Sequence, residues 1–264
     1  MPDEKERWSS GSAYEPYVGR WSRLVAHEFV GWLDIPPKER WLDVGCGTAA
    51  LTRTILALCD PSVAVGVDQS AGFIAFAQEQ EAGPKVSFVR GDATAIPIAD
   101  NSFDVAVSGL VLNFVPEPSR MVDEMARVTR EGGRVAVYVW DYGGEMQMMR
   151  HFWDAAIELD PAARDLDEGM RFSVCSLDGL ASLFEGAGLA AVQTRAIDIA
   201  TAFRDFDDFW SPFLGGTGTA PTYAMSLGEE QRSALRERLR SRLPTAADGG
   251  IRLIARALAV QGTR

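Results

Sequence analysis

The chain is poor in the residues that build stapled or metal-bound folds. Its 264 residues include three cysteines and two histidines. Cys46, Cys59 and Cys175 cannot all pair with one another and stand at no metal-ligand spacing, which excludes a disulfide scaffold, predicts no metal centre and fits a reducing compartment. Each reads as a small buried hydrophobe. No apolar run approaches the roughly 18 residues of a membrane span, and the opening "MPDEKERWSSGS" has no apolar signal core. Basic residues are also in the minority, 26 against 37 acidic, and the formal charge of -11 repels nucleic acid and anionic membrane surfaces. The expectation is a soluble cytoplasmic protein, monomer or homodimer, whose partner is a small molecule rather than a nucleic acid or a membrane.

Apolar residues are plentiful, at 47%, enough for one large domain with a possible subdomain. In "AYEPYVGRWSRLVAHEFVGWLD", Val18, Trp21, Val25, Phe29 and Trp32 fall three or four apart, which predicts a helix ahead of the first strand. "PPKER" breaks it, because proline fixes the backbone and removes amide donors. Strand-like "RWLDVG", "VAVGVD", "VSFVRGD" and "SFDVAVSG" then alternate with helix-like "AALTRTILALC", "SAGFIAFAQEQ" and "EPSRMVDEMARVTR". The glycines of "REGG" are read as ending that last helix before the strand "RVAVYVW". Short, nearly continuous apolar strands separated by amphipathic helices imply a parallel sheet covered on both faces, a doubly wound α/β fold.

Beyond Trp140 the rhythm changes. "GEMQMMRHFWDAAIELD" reads as a helix rich in methionine and aromatics, "SLDGLASLFEGAG" as another, and "LAAVQTRAIDIA" as a strand. Phe203, Phe206, Phe209 and Trp210 recur at helical spacing before a glycine loop. "GEEQRSALRERLRSRL" is a charged helix, and "IRLIARALAVQG" a last strand. The boundaries inferred are an N-terminal helical lid over 1–37, a core over 38–142, a helical insertion covering the substrate over 143–177, and the rest of the core over 178–264 with a second insertion at about 203–245.

In open α/β sheets, ligands sit outside the carboxyl ends of the strands. The first such end is "LDVGCGTAAL". Its "GCGTAA" fits the loose dinucleotide pattern G-x-G-x-x-A, so a nicotinamide-dependent oxidoreductase has to be weighed. Charge speaks against it: a pyrophosphate needs bare amides at a helix N-terminus, whereas Asp43 brings an anion beside them. The absence of a Tyr-x-x-x-Lys pair points the same way. The ligand is expected to carry positive charge near Asp43.

"LDVGCGTAAL" resembles the glycine motif of class I S-adenosylmethionine-dependent methyltransferases, in the branch of ubiquinone-biosynthesis-type small-molecule enzymes. "VGVDQS", "GDATAIPIADNSFDVAVSGLVLNFVPEP" and "EMARVTREGGRVAVYVW" resemble the segments that follow in that family, so the resemblance covers about residues 38 to 141 with four motifs in order. It implies a Rossmann-like seven-stranded sheet, mostly parallel with one antiparallel strand near the C-terminus, and S-adenosyl-L-methionine as cofactor. It further implies that Asp43 fixes the methionine ammonium, that the backbone at Gly45, Cys46 and Gly47 lets the cofactor lie close, and that Asp68 accepts the ribose hydroxyls. Asp92 and the Ala93 amide would meet the adenine, flanked by Gln69 and Phe73. Ser108, Leu110 and Asn113 would run beside the methionine chain and the transferable methyl, with Asn113 toward the acceptor. Taken alone, each aspartate is as readily a helix cap or turn former. The pattern departs once, at Ala49, where a third glycine is usual.

Methyl transfer is an in-line displacement in which the protein aligns the nucleophile and excludes water. A base is needed only for a nucleophile that arrives protonated. His151, Asp141 and Tyr142 are the candidates, since all follow the fifth strand. Met149, Phe152, Trp153, Phe206 and Trp210 are candidate walls for a hydrophobic or aromatic acceptor, although such stripes are as readily core. Tyr14, Arg20 and Trp21 of the N-terminal segment are expected to close over the cofactor. The readings left open are methyl transfer to oxygen, nitrogen or carbon, the oxidoreductase, and a non-catalytic S-adenosylmethionine-binding protein.

Overall fold

The computed structural model describes residues 19–216 and 218–264. The predicted helix-strand alternation is present. Helix α1 (Arg20–Leu33) leads into β1 (Arg40–Val44), α2 (Ala50–Cys59), β2 (Val63–Asp68), α3 (Ala71–Gln80), β3 (Val86–Arg90) and β4 (Phe103–Gly109). A 3-10 turn (Leu112–Phe114), α4 (Pro118–Val128) and β5 (Thr129–Trp140) follow. Then come α5 (Gln147–Leu159), a 3-10 turn (Pro161–Leu166), α6 (Glu168–Arg171), α7 (Leu177–Gly186) and β6 (Ala190–Phe203). The chain closes with α8 (Phe206–Trp210), a 3-10 turn (Ser211–Leu214), α9 (Thr219–Ser226), α10 (Glu229–Arg242) and β7 (Ile251–Thr263).

The seven strands lie in the order β3-β2-β1-β4-β5-β7-β6. Pairings from β3 through β5 are parallel, while β7 runs antiparallel to β5. The implied sheet, mostly parallel with one antiparallel strand near the C-terminus, is therefore found. In β1, Trp41, Leu42, Asp43 and Val44 are all buried, as a strand covered on both faces requires. Strand order reverses between β1 and β4, so the carboxyl end of β1 is the switch point where such sheets bind ligands.

Two expectations are corrected. The glycines of "REGG" do not end a helix: α4 stops at Val128 and β5 begins at Thr129, so Gly132 and Gly133 lie inside the strand. The register against β4 shifts there, from Phe103↔Thr129 to Val105↔Arg134, which makes the pair a bulge. Gly133 is needed because a Cβ would stand 2.5 Å from Thr129 Cγ2 and 2.7 Å from the Asp104 carbonyl. Phe203, placed at helical spacing with Phe206 and Phe209, instead ends β6. Burial of Ile197, Ile199, Thr201 and Phe203 alternates with exposure of their neighbours, the period of a strand.

The chain divides into two compact units. The sheet unit comprises Ser22–Trp140, Val174–Ile197 and Ala257–Arg264. The helical unit comprises the described residues up to Trp21, with Asp141–Ser173 and Asp198–Arg256. Within the sheet unit, α1 is anchored by Phe29, whose ring lies 4.6 Å from that of Tyr138. Within the helical unit the core is aromatic: Phe152 stacks on Phe213 at 4.5 Å and meets Trp153 edge-on at 5.2 Å, and Trp153 lies 5.7 Å from Tyr223. Arg150 grips buried Asp167 with two hydrogen bonds of 2.9 and 2.6 Å, and the Trp153 indole donates to buried Glu168. Among the described residues no helix is long and apolar enough to cross a membrane, and no cluster of His, Cys, Asp or Glu could hold a metal ion.

Candidate functional site

The carboxyl ends of β1 to β4 carry Asp43, Asp68, Asp92 and Ser108 along one edge of the sheet unit, staggered in register. Asp43 pairs with Gly66 and Val107, two residues before Asp68 and one before Ser108, and Asp68 pairs with Arg90, two residues before Asp92. Between β1 and α2 the chain turns through Gly45 (φ 74) and Gly47 (φ 50), both in the left-handed region that favours glycine. Gly45 has a second reason to lack a side chain, since Val111 would stand 2.6 Å from its Cβ. Gly47 is different: no atom lies within 4 Å of where its Cβ would be, so the turn offers open space there.

This turn is not a phosphate cradle. The amides of Gly45 and Cys46 both donate to the Val67 carbonyl, at 2.7 and 3.0 Å, and that of Gly47 to Asp68 Oδ2 at 3.0 Å. The Ala49 amide donates to the Cys46 carbonyl at 2.8 Å. A phosphate loop must aim such donors at its ligand. The amides of Gly45, Cys46 and Gly47 are thus engaged within the protein, and of the two glycines it is Gly47 that leaves open space.

Asp43 is 2% exposed. Its Oδ2 accepts from Thr52 Oγ1 at 2.6 Å, while its Oδ1 is buried with no partner. Burial pushes its carboxyl up to about 7; the hydrogen bonds from Thr52 oppose the shift and the nearby Asp68 charge adds to it. A buried carboxylate oxygen without a donor fits a cationic N–H group. Thr52, which sequence reasoning missed, sits on the inner face of α2's first turn, and only its spacing on that helix hinted at the contact.

Asp68 receives the Gly47 amide on one oxygen and the Ser70 amide, at 2.8 Å, on the other. Desolvation raises its carboxyl above the ordinary value, against both bonds. A carboxylate has about four acceptor sites, so it can still accept two hydroxyls. Asp92 is exposed, and the Thr94 amide and hydroxyl, each 2.8 Å from its Oδ1, hold its carboxyl below the ordinary range. Ala93 follows in the same turn. Gln69 is exposed, with its carbonyl taken by Arg90, and Phe73 is half-buried at the start of α3, where its amide meets Ser70 Oγ.

The Ser108 hydroxyl is already engaged, donating to the Val44 carbonyl at 2.7 Å. Leu110 carries φ 62, a left-handed non-glycine residue directly after β4. Asn113 is buried with neither its amide nitrogen nor its oxygen partnered. Ala49, where a third glycine was expected, has φ 64 and is wholly buried. The position does call for left-handed backbone, and alanine adopts it at some cost.

The remaining candidates belong to the helical unit. Met149, Phe152, Trp153, Phe206 and Trp210 are all buried, Phe152 and Trp153 within the aromatic cluster of that unit. Asp141 forms a turn, its Oδ2 accepting the Glu145 amide at 2.9 Å, and the Tyr142 ring packs on Phe172. His151 is half-buried, and desolvation lowers its pKa; Asp154 opposes the shift and Arg242 adds to it. Arg20 and Trp21 lie together against Phe203. Tyr14 falls outside the described residues.

Residues 42–137 match the family model described as "Methyltransferase domain". The demethylmenaquinone methyltransferase of Beutenbergia cavernae is 34% identical over 185 residues, 66% of this chain and 75% of that protein. That of Renibacterium salmoninarum is 38% identical over 119 residues, 45% of this chain; the match spans about half of that relative, 46%. A solved structure of Haemonchus contortus phosphoethanolamine N-methyltransferase 2, in complex with phosphomonomethylethanolamine and S-adenosylhomocysteine, shares the fold with a TM-score of 0.60 at 15% identity, covering 96% of this chain and 56% of that one.

Proposed function

Because the chain belongs to the methyltransferase-domain family, we propose that it transfers a methyl group from S-adenosyl-L-methionine to a small-molecule acceptor. The observation that carries this reading is Asp43: a buried carboxylate with one unpartnered oxygen, beneath a glycine turn whose amides at Gly45, Cys46 and Gly47 are already taken. That combination suits a ligand with an ammonium and without phosphate. The oxidoreductase reading has no such support. A curated relative acts on demethylmenaquinone by its name, which agrees with a hydrophobic or aromatic acceptor here.

S-adenosylmethionine, when bound, supplies an electrophilic methyl on a sulfonium leaving group. The chain's own part is to hold and to exclude. Asp43, ionised, accepts the ammonium protons, and Thr52 keeps its carboxylate oriented. Asp68 accepts the ribose hydroxyls while its bonds to Gly47 and Ser70 fix the turn. Asp92 and Ala93 face the adenine edge, and Gln69 and Phe73 its sides. Asn113 offers the acceptor a buried amide, and Ser108 and Leu110 run beside the methionine chain, the Leu110 amide held by the Tyr138 carbonyl of β5. Arg20 and Trp21 belong to the closing segment, residues 1–37 to the lid, and 143–177 and about 203–245 to the cover. Where the acceptor arrives protonated, His151, Asp141 or Tyr142 is the base. The enzyme is cytoplasmic, a monomer or homodimer, and its net charge of -11 disfavours nucleic-acid acceptors.

Calorimetry of the purified chain with S-adenosylmethionine and S-adenosylhomocysteine tests the reading, followed by a panel of phenols, quinols, amines and carboxylic acids with release of S-adenosylhomocysteine as readout. Binding with turnover on a member of that panel is expected. Absence of heat with both nucleosides overturns the cofactor assignment.

A further inference from the structure

We infer that Glu124 and Arg127 of α4 are positioning residues for adenine selection: they grip the loop that follows Asp92 and so fix the edge that Asp92 and the Ala93 amide present. All the residues concerned lie in the sheet unit. Asp92 is exposed, in a turn closed by its bridge to Ala95, whose amide donates to the Asp92 carbonyl at 3.1 Å. An exposed turn takes its order from what holds its two ends. At the near end the Gly91 amide donates to the Asp68 carbonyl at 3.0 Å. At the far end stands Ile96, buried, and α4 holds both of its main-chain groups.

The Ile96 amide donates to Glu124 Oε2 at 2.7 Å, and its carbonyl accepts from Arg127 Nη2 at 3.0 Å. Arg127 Nη1 donates to the Ile98 carbonyl at 2.9 Å and to Asp100 Oδ1 at 2.6 Å. Arg127 Nε and Nη2 each meet a Glu124 oxygen at 2.7 Å, so the two side chains fix one another in the geometry that reaches the loop. Pro97, between the gripped residues, lies over Gly91: a Cβ there would stand 2.5 Å from Pro97 Cδ and 2.9 Å from Val67 Cγ1. The loop is folded back on its own start, with Asp92 between the two contacts. A recognition edge ordered in advance binds better than one the ligand must order. Without the grip that ordering falls to the ligand, and the contacts to adenine weaken ahead of those to the rest of the nucleoside.

The inference rests on the assignment of Asp92 and Ala93 to the adenine. Calorimetry of the full chain compares S-adenosylhomocysteine with S-inosylhomocysteine, in which a carbonyl replaces the adenine amino group, and with methylthioadenosine, which lacks the amino-acid end. The first ratio of affinities reads the adenine edge and the second the Asp43 end. Arg127→Lys keeps the charge and loses the planar fork. It should lower the preference for adenine about tenfold, the effect of one backbone residue left to be ordered, and leave the second ratio unchanged. Glu124→Ala, which removes the acceptor of the Ile96 amide, should do the same. Glu124→Gln, which keeps an oxygen there, should lose about threefold, the weakening of a charge-assisted hydrogen bond to a neutral one. In an Asp92→Asn background Arg127→Lys should lower the preference little further, because it acts through Asp92. Adenine preference kept in full by every variant that folds, an equal fall in both ratios, or a full tenfold loss on top of Asp92→Asn overturns the inference. So does a parent protein that binds both homocysteine nucleosides equally, which leaves the cofactor reading standing. A parent that binds no nucleoside defeats that reading itself.

Discussion

Replacing Asp43 by asparagine should stabilise the free protein at alkaline pH while removing its cofactor affinity. Asp43 is 2% exposed, and burial pushes its carboxyl up to about 7 from an ordinary value of 3.8. Between those two values the folded chain holds a proton that the unfolded chain has released. Stability from this group is therefore full below the lower value and is lost as pH rises through the upper one, at about 1.4 kcal/mol per pH unit. From about pH 5 to about pH 8 the loss is about 2.6 kcal/mol, close to two pH units at that slope. Asparagine does not titrate and keeps an oxygen for the Thr52 hydroxyl. Urea unfolding of both proteins at the two pH values measures the difference. A stability gap between Asp43→Asn and the parent that stays flat with pH refutes the buried-carboxylate argument. In calorimetry the parent should bind S-adenosylhomocysteine more tightly as pH rises toward 8 and release a proton on binding. The variant should lose about a hundredfold in affinity, the worth of a buried charge-assisted hydrogen bond near 3 kcal/mol.

Four further substitutions separate packing from binding. Gly45→Ala meets Val111 at 2.6 Å with φ 74, so unfolding should show a loss of about 2–4 kcal/mol. Gly47→Ala meets no atom within 4 Å at φ 50; it should cost only about 1 kcal/mol yet weaken S-adenosylhomocysteine binding in calorimetry, because the space it fills is the ligand's. Ala49→Gly removes left-handed strain at φ 64 and should gain about 0.5–1 kcal/mol in urea unfolding. Asp167→Ala leaves Arg150 without its two-bond partner and should destabilise by about 3–5 kcal/mol, read as a fall in the urea midpoint.

The core of the fold was legible because parallel strands buried on both faces leave a nearly unmistakable pattern. "RWLDV" and "VAVGVD" each carry an acid at or near the end of the apolar run, and the structure puts both acids at the carboxyl edge of the sheet, two register positions apart. The "REGG" glycines misled because a glycine pair after a helix marks a helix end in most settings; only the pairing of β4 with β5 turns it into a bulge. Phe203 misled for a related reason: three residues before Phe206, it fits a helical repeat, and its strand role depends on alternation upstream. The aromatic stripes of the second half were read as pocket or core, and their burial places them in the helical unit's interior. Thr52 was legible only through its spacing on α2, nine positions past the Asp43 it bonds, and the ion pair of Arg20 with Asp208, 188 positions apart, left no local trace.

The interleaving of the two units constrains how this protein can be rebuilt. The chain passes from one unit to the other after Trp21, Trp140, Ser173, Ile197 and Arg256, so neither unit is a continuous stretch that could be cloned alone. Two of those crossings fall within strands, β6 at Ile197 and β7 at Arg256. A chimera that borrows a relative's helical unit must therefore be spliced at several junctions at once, and the two in β6 and β7 must keep the in-out alternation of their side chains. A graft displaced by a single residue at either strand would invert every buried position beyond it.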